Sequence, residues 1–197
     1  MTQSLLIGFE LLSFWRVGTG EGEAAGYDAT CAKDELGLPK IPGKQVRGLF
    51  REAVRDLCEI KGWDPKEVEN LFGSRAIAGQ PLLNDTSMGC LRFDDARLPL
   101  QERQLLSDFP ALIPGLYRNK RSTALLRDKG VAKQHSLRFE EVAIPLVLRT
   151  TVRLIGAAPE EWDGCLKDAA HLIRAVGGGR SRGLGRVIVS VTGPSHE

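Results

Sequence analysis

Residues 175–189 have the sequence AVGGGRSRGLGRVIV, in which five glycines are interleaved with three arginines and one serine. Glycine adopts positive φ and lets backbone N–H groups come close to a ligand. Arginine presents a planar set of N–H donors that fits a phosphate. We therefore predict that this loop holds an anion such as a polyphosphate or a nucleic-acid backbone. The alternative is a glycine-rich helix stop with exposed arginines, although one glycine is enough to end a helix.

The loop does not match the common nucleotide-binding loops. The pattern G-x-x-x-x-G-K-[ST] is absent, and so is an unbroken G-x-G-x-x-G that opens a helix. Phosphate loops also run from a strand into a helix N-terminus. This loop instead leaves a predicted helix and enters a predicted strand, which argues against a nucleotide-binding domain.

A second group of cations lies on the predicted helix 44–60. Its members are Lys44, Arg47, Arg51 and Arg55, with the arginines at i, i+4 and i+8 on one face. Lys44 and Arg47 fall in the first turn, where unpaired backbone N–H groups also favour an anion. The alternative is a solvated helix face on which Glu52 and Asp56 balance the arginines.

Hydrophobic periodicity and turn residues predict the elements that position these cations. The predicted strands are Leu5–Val17, Gly89–Leu98, Glu141–Ile155 with a bend or bulge at Pro145, and Arg186–Thr192. The predicted helices are 44–60, Lys66–Phe72 and Pro159–Ala175, the last with Gly177 after its end. Helix 44–60 has an apolar stripe from Val46 to Leu57 at helical spacing. Gly18–Gly37 is predicted to be a long loop, and a basic hairpin or arm covers Tyr117–Arg138. The order β-α-β-β-α-β predicts an α+β, ferredoxin-like fold with an antiparallel sheet and helices on one face.

Composition limits the classes of function. The 197 residues fit a single domain, and 42% hydrophobic with 26% charged residues is typical of a soluble globular protein. The net charge is only +2, so affinity for nucleic acid must come from local clusters of cations. No run approaches the ~20 apolar residues of a membrane span, and the N-terminus has no basic leader. We therefore expect a cytoplasmic protein with no membrane partner.

The cysteines and paired acids do not predict a metal site. Cys31, Cys58, Cys90 and Cys165 are scattered without a C-x-x-C pair, so we expect no zinc site. Asp94 and Asp95 are adjacent, and neighbours on a strand face opposite sides. They are expected to end a strand rather than to bind a metal ion.

Several motifs, in this order, resemble the RAMP superfamily, specifically the repeated backbone subunit of type III CRISPR effector complexes. They are a glycine-rich loop ending in DATCAKDELGLPKIPG, then IPGKQVRGLFR, NLFGS, and GGGRSRGLGRV. The arm TALLRDKGVAKQHSLRFEEVAIP is a softer likeness to the hairpin called the thumb, and the resemblance covers nearly the whole chain. One departure is that Lys44-Gln45 stands where the family has two small hydroxyl residues. The aromatic signature R-G-F-G-F-V of sheet-face RNA readers is absent, so base stacking on the sheet is not expected.

The resemblance implies a single RAMP domain over residues 1–197, with a ferredoxin-like (RRM-like) core, a long loop after the first strand, and a thumb arm at about 117–140. It implies copies that stack head to tail in a filament along a guide RNA, with target RNA and other CRISPR effector subunits as further partners. The RNA-binding residues it implies are Gly43, Lys44, Arg47, Arg51, Thr123, Arg127, Lys129, Gly179, Arg180, Ser181 and Arg182.

The resemblance also implies a catalytic residue. By position, Asp28 corresponds to the loop aspartate that cuts target RNA in many family members, and Asp34 to a second loop aspartate. RNA cleavage can use the adjacent 2′-OH as nucleophile, while a carboxylate holds Mg²⁺ or another divalent cation, or orients a proton transfer. Asp28 is thus the predicted catalytic residue and metal ligand, the alternative being a solvated loop acid.

Two function classes therefore remain: an endoribonuclease subunit that cuts with Asp28, and a purely structural RNA-binding subunit. A third class, a guide-processing nuclease of the same superfamily, typically relies on a histidine in or near the first helix. The first histidine of this sequence is His135, which disfavours that class.

Overall fold

The computed structural model describes residues 3–18, 29–74, 88–123, 136–157 and 161–193. Within these residues the strands are β1 Ser4–Leu11, β2 Leu91–Phe93, β3 Tyr117–Ser122, β4 Arg138–Ala143, β5 Val147–Leu154 and β6 Val187–Thr192. The α-helices are α1 Gly43–Lys61, α2 Lys66–Phe72, α3 Leu100–Asp108 and α4 Trp162–Ala170. Two 3₁₀ helices cover Pro110–Leu116 and Arg180–Arg182.

Four strands form an antiparallel sheet in the order β2-β5-β1-β6. Together with α1 and α4 they give the β-α-β-β-α-β succession of a ferredoxin-like fold, so the predicted α+β class is confirmed. The remaining two strands, β3 and β4, form a separate antiparallel hairpin between β2 and β5.

One face of the sheet forms the core. Along β1 the alternate residues Leu5, Ile7, Phe9 and Leu11 are buried, as the two-residue period of a strand requires. They belong to one cluster with the apolar stripe of α1, which includes Val46, Phe50, Val54 and Leu57, and with Leu166 and Ala169 of α4. The stripe predicted from the sequence is therefore confirmed as the buried face of α1. No helix in the described part of the chain is both long and apolar enough to cross a membrane.

The register gathers the functional segments at one end of the sheet. Glu10, near the end of β1, lies opposite Val147 at the start of β5 and Ile188 at the start of β6. Strand β2 runs parallel to β1 but ends at Phe93, level with Leu5. The chain after β2 continues along β5 toward this end as far as Arg97, opposite Arg149, and Ile41 just before α1 pairs with Ala96. The long loop, the N-terminus of α1, the hairpin and the glycine-rich loop consequently leave the sheet at this end.

The structure corrects three predicted boundaries. The strand predicted over Glu141–Ile155 is two strands, because β4 pairs with β3 and β5 pairs with β1 and β2. The break falls at Pro145, which has no N–H to donate to a ladder. Strand β1 ends at Leu11 rather than Val17, and β2 has three residues.

Helix α4 is shorter than predicted and does not use Gly177 as its cap. It ends at Ala170, with His171 in the capping position. Ala175 instead pairs with Arg186, and the Val176 N–H donates to the Gly185 carbonyl at 2.8 Å. These bonds to residues 185–186 of the same chain replace the intrahelical bonds that would have continued α4.

Helix α3 and the following 3₁₀ helix were not predicted from the sequence. Prolines at 99, 110 and 114 punctuate this segment, and it has no clear apolar stripe. Four of its large apolar side chains are more than half exposed: Leu100, Leu105, Phe109 and Leu112.

Candidate nucleic-acid interface

The glycines of the 177–185 loop serve close packing against the chain just after β1. The Gly178 N–H donates to the Arg16 carbonyl, and the Gly185 N–H donates to the Phe14 carbonyl, both at 2.8 Å. Gly177 and Gly185 have φ of 76° and 71°, and a Cβ on either would overlap a neighbouring carbonyl. These two N–H groups are therefore used inside the protein, whereas the sequence had suggested that glycine N–H groups face a ligand.

The tip of this loop carries the exposed charge. Gly179 and Gly183 adopt φ of 75° and 80° and bracket the 3₁₀ turn Arg180–Arg182. Arg180, Ser181 and Arg182 are exposed, and no hydrogen bond or ion pair to their side chains occurs within the described residues. The glycines fix the loop and its two ends, and the charged side chains are left for a partner.

Two glycines of this loop provide a matched test of that packing. Gly183 has positive φ with open space around it, whereas Gly185 combines positive φ with contact against Val176. We expect Gly183→Ala to cost about 1 kcal/mol of unfolding free energy, the penalty of left-handed backbone. Gly185→Ala should cost about 2–5 kcal/mol, since the overlap adds to that penalty. Chemical denaturation measures both, and equal losses would contradict the role given to Gly185.

Helix α1 carries Gly43 and Lys44 in its first turn and Arg47 and Arg51 about one and two turns further on, and its positive end is already capped. The Asp95 carboxylate accepts the Gly43 N–H at 2.8 Å and pairs with the Lys40 ammonium at 2.7 Å. Burial acts to raise the pKa of Asp95, but hydrogen bonds from Lys40 and Gly43 hold it below its ordinary value. A ligand at this turn must therefore rely on side chains rather than on the Gly43 N–H.

The cations of this turn differ in how they are held. Lys44 is exposed, and its ammonium has no partner among the described residues. The Arg47 guanidinium donates to the Phe72 carbonyl at the end of α2, and Arg51 is half-buried. A carbonyl orients Arg47 without neutralising it, so its charge stays available to an anion.

One contact joins the two cationic groups. The Gln45 side-chain amide donates to the Gly18 carbonyl at 3.2 Å, and Gly18 follows the segment 14–17 on which the glycine-rich loop packs. The first turn of α1 and the glycine-rich loop therefore flank the same stretch of chain after β1.

The β3–β4 hairpin packs against the same stretch of chain after β1, residues 14–18. Glu141 of β4 donates its N–H to the Ala29 carbonyl at 2.9 Å, and the Arg16 guanidinium pairs with Glu140 at 3.4 Å. Thr123 is exposed just after β3. Three predicted residues, Asp28, Arg127 and Lys129, lie outside the described residues, as does His135. Asp28 nonetheless directly precedes Ala29, whose backbone is fixed to β4.

A polar network beneath the hairpin was missed by the sequence analysis. The Glu141 carboxylate is nearly buried and accepts hydrogen bonds from the Cys31 N–H and the Lys33 ammonium, at 3.1 and 2.9 Å. Lys33 also lies 4.4 Å from the Tyr117 ring centroid. Burial and then the Glu141 charge raise the pKa of Cys31 to about 12, so it stays a thiol at neutral pH. Glu141 and Cys31 therefore tie the loop to the hairpin.

Asp34 is a structural residue. Its side chain is 1% exposed, and one carboxylate oxygen accepts the Leu36 and Leu38 N–H groups, both at 3.0 Å. The other oxygen pairs with Arg103 at 3.3 Å. Loop aspartates that bond to backbone two residues on stabilise turns in this way. Asp34 thus shapes the approach to Pro39.

The pair Asp94 and Asp95 ends β2 as predicted and is engaged by cations. Asp94 pairs with Arg153 at 2.5 Å, and Asp95 pairs with Lys40. Among the described residues, no three His, Cys, Asp or Glu side chains are placed to hold a metal ion together.

Comparison with known proteins places the chain in a family and identifies similar folds. The model of the RAMP superfamily matches residues 8–188. No curated protein sequence is significantly similar to the chain. A chain in the cryo-EM structure of the Type III-B Cmr-beta bound to cognate target RNA is similar at a TM-score of 0.70 and 12% identity, covering 95% of this chain and 96% of that one. A chain of the apo-state Type III-B Cmr-beta is similar at 0.68 and 14% identity, covering 96% and 97%. At these identities the structural likeness concerns the fold.

Proposed function

The chain belongs to the RAMP superfamily, and we propose that it is a guide-RNA-binding backbone subunit of a type III CRISPR ribonucleoprotein. The observation that supports this most is the exposed Arg180–Arg182 turn, flanked by Gly179 and Gly183. Its loop packs on residues 14–16, and Gln45 in the first turn of α1 contacts Gly18 just after them. Exposed arginines without acidic partners are suited to phosphate oxygens. The similar folds belong to complexes of this type, one of them with target RNA bound.

Lys44, Arg47, Arg51 and the glycine-loop residues Gly179, Arg180, Ser181 and Arg182 would contact guide phosphates. Contacts of this kind position an RNA strand without reading its sequence. Thr123, Arg127 and Lys129 would add contacts from the thumb. Since the net charge of one chain is small, binding along a guide would draw on these local clusters repeated from copy to copy.

The segment 100–112 carries four exposed large apolar side chains, Leu100, Leu105, Phe109 and Leu112, which offer apolar area for protein assembly. We assign it to contact with a further copy of this chain. Copies bound along one guide are held at high effective concentration, so a modest apolar contact is enough to order them. Head-to-tail contact of identical chains generates an open filament when the rotation does not close.

We further propose that Asp28 is the catalytic residue with which the subunit cleaves target RNA. Ala29 is fixed against β4, so Asp28 would extend from a rigid point beside the thumb. Its carboxylate would hold Mg²⁺ or orient the proton transfer that lets a 2′-OH attack the adjacent phosphate, which forms a 2′,3′-cyclic phosphate and releases the 5′-hydroxyl of the next nucleotide. The alternative is a non-catalytic structural subunit of the same kind of complex.

Co-expression with candidate partner subunits tests the proposal. We expect the isolated chain to bind single-stranded RNA weakly and with strong salt dependence, and the assembled complex to retain RNA through purification. The RNA content follows from absorbance and extraction, and the assembly from its mass. A stable monomer that never co-purifies with RNA or partner subunits would contradict the proposal.

A further inference from the structure

A surface cleft of about 420 Å³ separates the first turn of α1 from β2. Three cationic side chains line it, Lys44, Arg47 and Arg92, and no carboxylate lies among its described lining residues. Arg92 comes from the edge strand β2 and was not singled out by the sequence analysis. The cleft therefore combines cations from two elements that are far apart in the chain.

The acids nearest to the cleft are already engaged elsewhere. Asp94 pairs with Arg153, which lies directly opposite Arg92 in the sheet. Asp95 pairs with Lys40 and caps Gly43. Two arginines directly opposite each other repel. Asp94 neutralises the charge of Arg153 but does not pair with Arg92. The charge of Arg92 is left without a counter-ion among the described residues.

Backbone carbonyls hold the two guanidinium groups in place. Arg92 donates to the Gly89 and Leu91 carbonyls at 2.7 and 3.0 Å, and Arg47 donates to the Phe72 carbonyl. These bonds fix direction but do not neutralise charge. Each guanidinium has five N–H donors, so donors remain for a second partner. The arrangement is oriented in advance for an anion, which lowers the entropic cost of binding one.

The floor of the cleft is rigid. The Phe93 ring stacks on Phe50 and Phe72, with centroids 5.7 and 5.9 Å apart. A Cβ at Gly43 would overlap the Phe93 carbonyl, and one at Gly89 would overlap the backbone of Phe72 and Gly73. Close approach of these backbones brings α1, α2 and β2 together and sets the spacing of the three cations.

We infer that this cleft binds a phosphate of the RNA backbone, with Arg92 as a contact residue alongside Lys44 and Arg47. The inference rests on the proposed function and extends the phosphate contacts proposed for Lys44 and Arg47 to β2 through Arg92. In the sheet order, β2 and β6 are the two edge strands, and the glycine-rich loop precedes β6. Three strand spacings amount to about 14 Å, so a phosphate at Arg92 differs from one at Arg182. Arg92 lies opposite Arg153 and thus level with Ser4 at the start of β1, whereas the glycine-rich loop enters β6 level with Leu11 at its end. An RNA strand that reaches both sites therefore runs diagonally from the glycine-rich loop past the N-terminal end of α1 to β2.

Arg92→Ala tests the inference, with Arg149→Ala as the matched control. Arg149 is an exposed arginine on β5, opposite Gly8, outside the cleft. Both variants lose one positive charge from the same sheet. Fluorescence anisotropy of the full chain with a labelled single-stranded RNA is followed over a salt series. We expect Arg92→Ala to weaken binding about tenfold and to reduce the slope of log K against log salt by about 0.7. Arg149→Ala should change neither.

Arg92→Lys separates a binding role from a structural one. Lysine keeps the charge but not the two carbonyl bonds, so the salt slope should stay near that of the unsubstituted chain. A lysine variant that loses the slope as alanine does would show that Arg92 only supports the fold, and would overturn the inference. So would an Arg92→Ala chain that binds RNA normally, or one whose only defect is loss of partner subunits, which would assign the cleft to an acidic protein surface. If the unsubstituted chain and its complex bind no RNA, the proposed function itself fails.

Discussion

Asp28→Ala is expected to reduce cleavage of target RNA by the assembled complex about 10²–10⁴-fold, the usual effect of losing a group that moves a proton or holds a metal ion. Folding, assembly and guide binding should be unchanged, because Asp28 belongs to a glycine- and alanine-rich loop outside the apolar stripes. Substitutions outside the core and outside special backbone or capping positions commonly change stability by no more than ~0.5 kcal/mol. The rate is measured on labelled target RNA with Mg²⁺, with and without a chelator.

Glu23→Ala is the appropriate control for this experiment, since it removes a carboxylate from the same loop. Asp34→Ala is unsuitable, because its buried carboxylate holds the Leu36 and Leu38 N–H groups and Arg103. Loss of those bonds would disturb the loop itself. An Asp28→Ala complex that cuts at the normal rate would leave the structural subunit as the surviving interpretation. An unsubstituted complex that never cuts with Mg²⁺ present would do the same.

Replacing both arginines of the glycine-loop tip, Arg180→Ala with Arg182→Ala, is expected to weaken RNA binding by the full chain about tenfold to a hundredfold. The slope of log K against log salt should fall by about 1.4, because two phosphate contacts are lost at roughly 0.7 each. The loss should be about equal for RNAs of different sequence, since phosphate contacts carry no base information.

Arg149→Ala again serves as the control for charge alone. Thermal unfolding of the double variant should match the unsubstituted chain, because neither side chain has a partner within the described residues. A defect confined to particular base sequences would show that the loop reads bases. Unchanged affinity and slope would remove the loop from the RNA-binding surface.

Apolar spacing and turn residues in the sequence predicted the helices whose bounds are set by neighbouring residues. The apolar spacing from Val46 to Leu57 predicted α1, and Gly62 ends it with φ of 68°. Lys66–Phe72 was predicted with the observed bounds. The length of α4 was overestimated because pairing of Ala175 with Arg186 depends on a contact that composition does not encode.

The parts of the candidate site that were missed depend on tertiary contacts. Nothing near Arg92 in the sequence indicates that β2 lies beside Lys44, since only the crossover through α1 brings them together. Glu141 lies in the quoted thumb segment, but its bond to the Cys31 N–H joins residues more than a hundred positions apart. The glycines were recognised as unusual from their number, whereas their packing on residues 14–17 required the fold.

A structure of the assembled complex with its bound RNA tests the proposed RNA-binding surface most directly. We expect backbone phosphates within hydrogen-bond distance of Arg180, Ser181 and Arg182 in each copy, and another phosphate at Lys44. We also expect the RNA to leave uncovered the outer face of the sheet, which is the face away from the core that carries Gly8 and Arg149. An assembly whose RNA lies on that outer face, or touches neither the glycine-rich loop nor α1, would contradict the proposed surface.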